Sequence, residues 1–348
     1  MKRLVKIGDF QTGEKNNICD VPGVLVGHVT IIDELNKTGV TAILPHNGNL
    51  FKEKVVAASD VFNGFGKSIG LVQLDELGTI ETPIILTNAL NVSKVANGLI
   101  SYMLKDNPDI GISTSTVNPL VLECNDGSIS YIQNRVLDET HVLEAIKNAS
   151  DDFLEGAIGA GTGMRCNGFK SGIGSSSRII KIKDKEYVLG VLVNSNFGAS
   201  NGKELIFNGR KMGDLIKDYN LAFEEDKGSI IIVIATNAPL DNRQLKRIAK
   251  RAELGVARTG SYGGHGSGDI MVAFSTVNRI MQSPSYMEEN IVRFSDAYLN
   301  SFFKATVDAT EEAILNSMLH AKPLKSYNGT GYKSLMEYKS LFEDLLEK

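Results

Sequence analysis

Cysteine is scarce in this chain: Cys19, Cys124 and Cys166 are odd in number, scattered, and form no CxxC pair. That argues against a disulfide framework or a cysteine-built zinc site and fits reduced thiols used for packing. The five histidines, His28, His46, His141, His265 and His320, form no HxxxH-type cluster, so no metal site is expected. No Lys/Arg-rich block occurs, and 37 basic against 41 acidic residues leave a net charge of −4, so a nucleic-acid backbone finds no electrostatic footprint. Apolar runs such as Ser229-Ile-Ile-Ile-Val-Ile-Ala235 fall far short of the ~20 residues a membrane helix needs. The opening segment, Met1 to Phe10, lacks the apolar centre of a signal peptide. A soluble, cytoplasmic protein without nucleic-acid or membrane partners is expected.

What is present is enough for a core without staples: 348 residues, 42% of them hydrophobic, form one large domain or two. Short apolar runs bounded by Gly, Pro or Asn read as strands at Val24–Val29, Val40–Leu44, Ile69–Leu74, Ile84–Leu86, Ile129–Ile132, Ile179–Ile182 and Tyr187–Val193. Three-to-four spacing of Val92, Val95, Ala96, Leu99, Ile100 and Met103 predicts a helix over Ala89–Leu104, and another is expected at His141–Asn148. After Asp241, which with Asn242 can cap a helix start, Leu245, Ile248, Ala249, Ala252 and Val256 line one face opposite Lys246, Arg247, Lys250 and Arg251. A long amphipathic region from Met287 to about Leu319 and a short helix at Ser334–Glu347 complete the pattern. Strands and helices interleave without strict alternation, which predicts mixed sheets covered by helices, an α/β layered sandwich.

Glycine is in excess, 34 of 348 or about 10% against a usual ~7%. Gly64-Phe-Gly66-Lys67-Ser68 ends like a phosphate-binding loop, but Val61 stands where the first glycine belongs. Gly159-Ala-Gly161-Thr-Gly163 misses the dinucleotide spacing by one residue and has no clear strand before it. Tight turns explain these glycines better than nucleotides do.

The chemically informative step is Gly228-Ser229, where the charged stretch Glu224-Glu-Asp-Lys gives way to a β-forming run. Its hydroxyl can be no more than a strand-start group. Alternatively, if the peptide bond before it is cut, Ser229 becomes a chain terminus. Its α-amine, with a pKa of about 7.7–8.0, then sits beside its own hydroxyl and supplies base and nucleophile in one residue. Glycine at 228 suits such a cut by tolerating strain and leaving the carbonyl accessible. A second cluster, Arg258-Thr-Gly260-Ser261-Tyr-Gly-Gly-His265-Gly266-Ser267-Gly268-Asp269, can direct a hydroxyl and a carboxylate toward one point, although Ser-Gly-Asp is also common in turns.

Together with Ile18-Cys-Asp-Val-Pro22-Gly-Val-Leu-Val-Gly27-His28, Thr38-Gly39-Val40-Thr41, Glu155 to Gly168, Gly172 to Arg178, Gly190 to Gly198 and Ala238-Pro239-Leu240, these segments occur in one order along nearly the whole chain. In that order the sequence resembles the self-processing aminopeptidases that include the D-aminopeptidase DmpA and the β-peptidyl aminopeptidases. The resemblance implies a single peptidase domain over 1–348, cut between Gly228 and Ser229 into an α chain (1–228) and a β chain (229–348) that stay associated. It implies Ser229 as nucleophile, Ser267 and Asp269 as proton-handling partners, and Asn196 as an oxyanion donor. Some relatives carry Glu where Asp269 stands, and the shorter side chain alters its reach. Glu123 is a candidate contact for the substrate ammonium, Cys124 is read as packing and His265 as a loop side chain.

The implied fold is a four-layer αββα sandwich like that of the N-terminal-nucleophile hydrolases but differently connected. The implied partners are a short peptide or amino-acid amide as substrate and further copies, in a homotetramer of α/β pairs. No cofactor or metal is implied. Ornithine acetyltransferases share the general fold and self-cleavage but use Thr, so Ser229 argues against that reading. An uncleaved relative that binds small amines or peptides is the other alternative.

Overall fold

A computed structural model describes residues 4–216, 228–283 and 286–347. The first part of the chain forms β1 (Leu25–Ile32), β2 (Lys37–Leu44), β3 (Glu53–Gly64), β4 (Thr79–Ile80), β5 (Ile84–Asn88) and β6 (Leu120–Cys124), with helices α1 (Leu71–Leu77), α2 (Val92–Asp106) and α3 (Glu139–Lys147). The hairpins β7 (Arg165–Cys166) with β8 (Phe169–Lys170), and β11 (Ile206–Phe207) with β12 (Arg210–Lys211), flank the long strands β9 (Ile173–Ile182) and β10 (Lys185–Asn196). Then follow β13 (Ser229–Thr236), α4 (Asn242–Arg258), β14 (Gly268–Met281) and α5 (Leu299–Leu319). The strands form a four-stranded sheet, β1-β2-β5-β6, and a six-stranded sheet, β4-β3-β14-β13-β10-β9.

β13 explains the layering. It lies between β14, to which it is parallel, and β10, to which it is antiparallel, so both of its faces are covered and an unbroken apolar run is required. Ile230, Ile232 and Ile234 pack under α4 and α5. Ile231, Val233 and Ala235 point the other way and meet Val26, Ile43, Leu86 and Leu122 of the smaller sheet. The far face of that sheet, with Val40, Ala42, Ile85 and Val121, is covered by Val95, Leu99 and Val142 of α2 and α3. The result is the expected αββα sandwich. Each half is built on a parallel crossover, β5-α2-β6 and β13-α4-β14. Asp241 caps α4 through Gln244 N–H, while the Gln244 side chain accepts the Asp241 N–H.

A fully buried ion pair ties the outer helix to the sheet. Arg178 of β9 donates from Nη2 to Glu312 Oε2 of α5 at 2.7 Å and to the carbonyls of Ile7 and Asp308, and from Nη1 to the Ser177 carbonyl. Glu312 also accepts the Asn16 side-chain amide at 2.6 Å and the Ile7 N–H at 3.1 Å.

Several expectations need correction. Ile69–Leu74 is not a strand: Gly70, at φ 97°, breaks the extended backbone, and α1 begins at Leu71. Ile69 keeps only an isolated bridge to Val121. Ile129–Ile132 is a turn, because the N–H groups of Ile129 and Ser130 both bond the Asp126 carbonyl. The amphipathic region from Met287 becomes helical only with the short turn at Asp296–Tyr298 and then α5 from Leu299; Met287, Ile291 and Val292 are exposed. Ser334–Glu347 holds two 3₁₀ segments, Leu335–Leu341 and Glu343–Leu345, not one helix. The charged stretch Glu224–Lys227 lies outside the described residues. All three cysteines are buried thiols, and burial pushes that of Cys19 up to about 12. Among the described residues no helix is long and apolar enough to cross a membrane.

Candidate active site

At one end of the larger sheet the strand register places Asn196 (β10), Ser229 (β13), Gly268 (β14) and Gly64 (β3) side by side across four strands. Ser229 is the first residue of its strand and only 5% exposed. Its Oγ accepts the Gly268 N–H at 3.2 Å, and the same N–H lies 3.3 Å from the Gly228 carbonyl oxygen. One backbone donor thus reaches both the hydroxyl and the carbonyl that it would attack. Gly228 has no room for a side chain: a Cβ there would sit 2.0 Å from the Asn196 carbonyl oxygen and 2.5 Å from Phe197 Cα. The glycine before Ser229 is therefore a packing requirement.

Ser267 immediately precedes β14 and Asp269 is its second residue, one on each side of Gly268. Ser267 Oγ donates to Asp269 Oδ1 at 2.6 Å, and both side chains are buried. Because the hydroxyl proton is committed to the carboxylate, the Ser267 oxygen is left to accept from a neighbouring amine.

Asn196 is held from both ends. Its Oδ1 accepts the Arg165 N–H at 3.1 Å, which fixes the amide orientation, and its Nδ2 donates to the Asn125 carbonyl at 2.9 Å. Asn196, Asn125, Ser128, Arg165 and Gly228 line a cavity of about 230 Å³, into which the second hydrogen of the amide can serve a bound oxygen.

Glu123 stands on the other sheet, on β6, and is 3% exposed. Its Oε1 accepts the Lys67 N–H at 2.8 Å. Burial pushes its pKa up, with the Lys67 N–H and the Lys67 charge opposing. Cys124 beside it is fully buried with its thiol pKa raised well above normal by burial, which fits packing and not reactivity.

Residues 16–332 match peptidase family S58. The chain belongs to this family. As an S58 member it is a serine peptidase of the N-terminal-nucleophile type and an aminopeptidase. It is 36% identical over 341 residues to a β-peptidyl aminopeptidase BapA of Sphingosinicella microcystinivorans, covering 91% of this chain and 84% of that protein. Among solved structures it is similar to the PH0078 protein of Pyrococcus horikoshii OT3 (50% identity, TM-score 0.92, 97% of this chain and 96% of that one). It is also similar to the L-aminopeptidase D-Ala-esterase/amidase of Ochrobactrum anthropi, described as a prototype of the serine aminopeptidases and a variant of the Ntn hydrolase fold (31% identity, TM-score 0.90, 97% and 96%). These relatives do not favour the binding-protein or acyltransferase readings.

The S58 chain brings Ser229, Asn196 and the Ser267/Asp269 pair to one sheet end, with Glu123 reaching it from the other sheet across the segment Gly64–Lys67. Motif spacing, which excluded a phosphate loop in that segment, left it as a tight turn and gave it no place at the site. Its Phe65 carbonyl oxygen would lie 2.8 Å from a Cβ on Gly268, so glycine at 268 allows this segment's backbone to approach closely, and Gly66 runs beside the Ile270 and Glu123 side chains. Asn63, just before it, was also missed, since a single Asn at a strand end carries no sequence signal.

Proposed function

We propose that the chain cuts itself between Gly228 and Ser229 and then releases N-terminal residues from short peptides or amino-acid amides through an acyl-enzyme on Ser229. The observation that carries this is the Gly268 N–H within reach of both the Gly228 carbonyl oxygen and Ser229 Oγ. In the first step Ser229 Oγ attacks the Gly228 carbonyl carbon, and the peptide C–N bond breaks as the Ser229 nitrogen gains the hydroxyl proton. Water then hydrolyses the ester, leaving a Gly228 carboxylate and a free Ser229 amine. In turnover that amine, with Ser267 and Asp269, takes the Oγ proton and passes it to the leaving amine, while the Asn196 amide and a backbone N–H hold the oxyanion. The cut pairs would assemble as a tetramer, as the family resemblance implies.

The test is intact mass and N-terminal sequencing of purified protein beside p-nitroanilides of L-Ala, D-Ala and a β-homo residue. Fragments of 228 and 120 residues, a new terminus at Ser229 and turnover of at least one anilide are expected. One uncut chain with no turnover would refute the proposal.

Asn196→Ala is expected to lower kcat by about 10²–10³-fold with little change in KM, the effect of removing one oxyanion donor. Steady-state kinetics on the best anilide measures it.

Glu123 would pair with the substrate ammonium. Glu123→Gln should raise KM about 10²-fold, as for a buried charge partner lost. The carboxylate form binds, and burial raises its pKa. In the parent enzyme KM should therefore rise as pH falls through that raised value, and the Gln variant should lose this dependence.

A further inference from the structure

The pairing of β3 with β14 is irregular beside the site. Gly268 and Asp269 pair with Gly64 and Asn63, but Ile270 pairs with Val61, so Phe62 is an extra residue in β3. Such a bulge bends its strand and re-aims the neighbouring side chain. Here Asn63 is aimed at the turn leading into β14. Its Nδ2 donates to the carbonyl oxygens of Gly264 and His265, each at 3.1 Å, and to that of Ser267. The Ser267 carbonyl also accepts the Phe65 N–H at 3.3 Å. With glycine at 260, 263, 264, 266 and 268, this turn has little conformational preference of its own. One carboxamide from outside the turn holds three of its carbonyls.

We infer that Asn63 is a positioning residue for self-cleavage and for turnover, fixing the Gly264–Ser267 turn so that Ser267 meets Asp269 and the Gly268 N–H faces Ser229. This rests on the roles given above to Ser229, Ser267 and Asp269. The chemistry required at 63 is a donor. Three carbonyl oxygens converge on it, so a carboxylate of the same shape would set oxygen against oxygen, and alanine would leave the turn untied. A misplacement of about 1 Å in a catalytic group can cost about 10²-fold in rate.

Asn63→Ala, Asn63→Asp and Asn63→Gln in the full chain, beside the parent enzyme, test this through kcat and KM on an alanine p-nitroanilide, the rate of fragment formation, and thermal unfolding. The Ala and Asp variants should lose about 10²-fold in kcat with KM within about twofold, and should cut themselves more slowly. Gln keeps the donor and should recover about tenfold over Asp. Wild-type kcat and cleavage in the Ala or Asp variant would overturn the inference. So would a Gln variant no better than Asp, the result expected of a merely structural role. If the Ala variant does not fold, the Asp-to-Gln comparison still decides. A parent enzyme that neither cuts nor hydrolyses would instead overturn the reading of Ser229, and this inference with it.

Discussion

Ser229→Ala should run as one band of 348 residues and lose activity by a factor on the order of 10⁶ in kcat, the scale seen when a serine nucleophile is removed. The loss is expected to be this large because one oxygen performs two reactions. Without Oγ, nothing attacks the Gly228 carbonyl, so the amine that should act as base stays locked in an amide. Without Oγ, too, there is no acyl acceptor for substrate. The Gly268 N–H keeps its place at the Gly228 carbonyl in the variant, so the fold should be undisturbed and its melting temperature close to that of the parent precursor. Ser229→Thr retains a hydroxyl and should still cut, more slowly because the added methyl group must fit a site that is 95% enclosed. Intact mass over time separates these outcomes. Alanine at 229 with undiminished turnover would end the proposal.

Glu312→Gln should destabilise the protein by about 3–5 kcal/mol, the usual cost of stripping one partner from a buried ion pair. Arg178 and Glu312 are both fully buried, and Arg178 cannot shed its proton, so the charge left behind has no solvent to turn to. The damage should spread: Glu312 also holds Asn16 and Ile7, so the N-terminal segment would loosen from α5. Paired replacement, Arg178→Met with Glu312→Leu, should cost less than Glu312→Gln alone, since no buried charge remains. Thermal or denaturant unfolding of the precursor form, fixed by Ser229→Ala, measures this without interference from self-cleavage.

The elements most legible in the sequence were those whose pattern is set by local burial. The run from Ser229 to Thr236 reads as a strand because both faces are covered, and the helix after Asp241 reads from its cap and its 3.6-residue stripe. β3 and β14 were not read, although they are among the longest strands. Each changes from core residues to polar ones along its length, and β3 builds its core with Val and Ala, so neither shows one clean period. Ile69–Leu74 was read as extended because its apolar residues fit either period and the deciding feature, Gly70 at positive φ, is conformational. At the site, Ser229, Ser267, Asp269 and Asn196 could be named through resemblance. What sequence could not show is how they meet: the meeting is a matter of register across four strands, and register is a long-range property. Asn63 and Gly64 join the site through that register, and Phe65 and Lys67 through backbone hydrogen bonds to Ser267 and Glu123.

The position of Ser229 between β10 and β14 has a further consequence for the cut enzyme proposed above. The scission falls at the rim, but the seam between the two polypeptides runs through the middle of a sheet: β13 with β10 on one side, β14 with β3 on the other, and α5 laid over β9. The α chain keeps the four-stranded sheet, but neither piece holds the six-stranded sheet alone, and the β chain carries only its two central strands, β13 and β14. Folding is therefore unimolecular only once in the life of each molecule, before the cut. Afterwards, recovery from denaturation becomes an encounter between two strangers in solution, and its success depends on dilution.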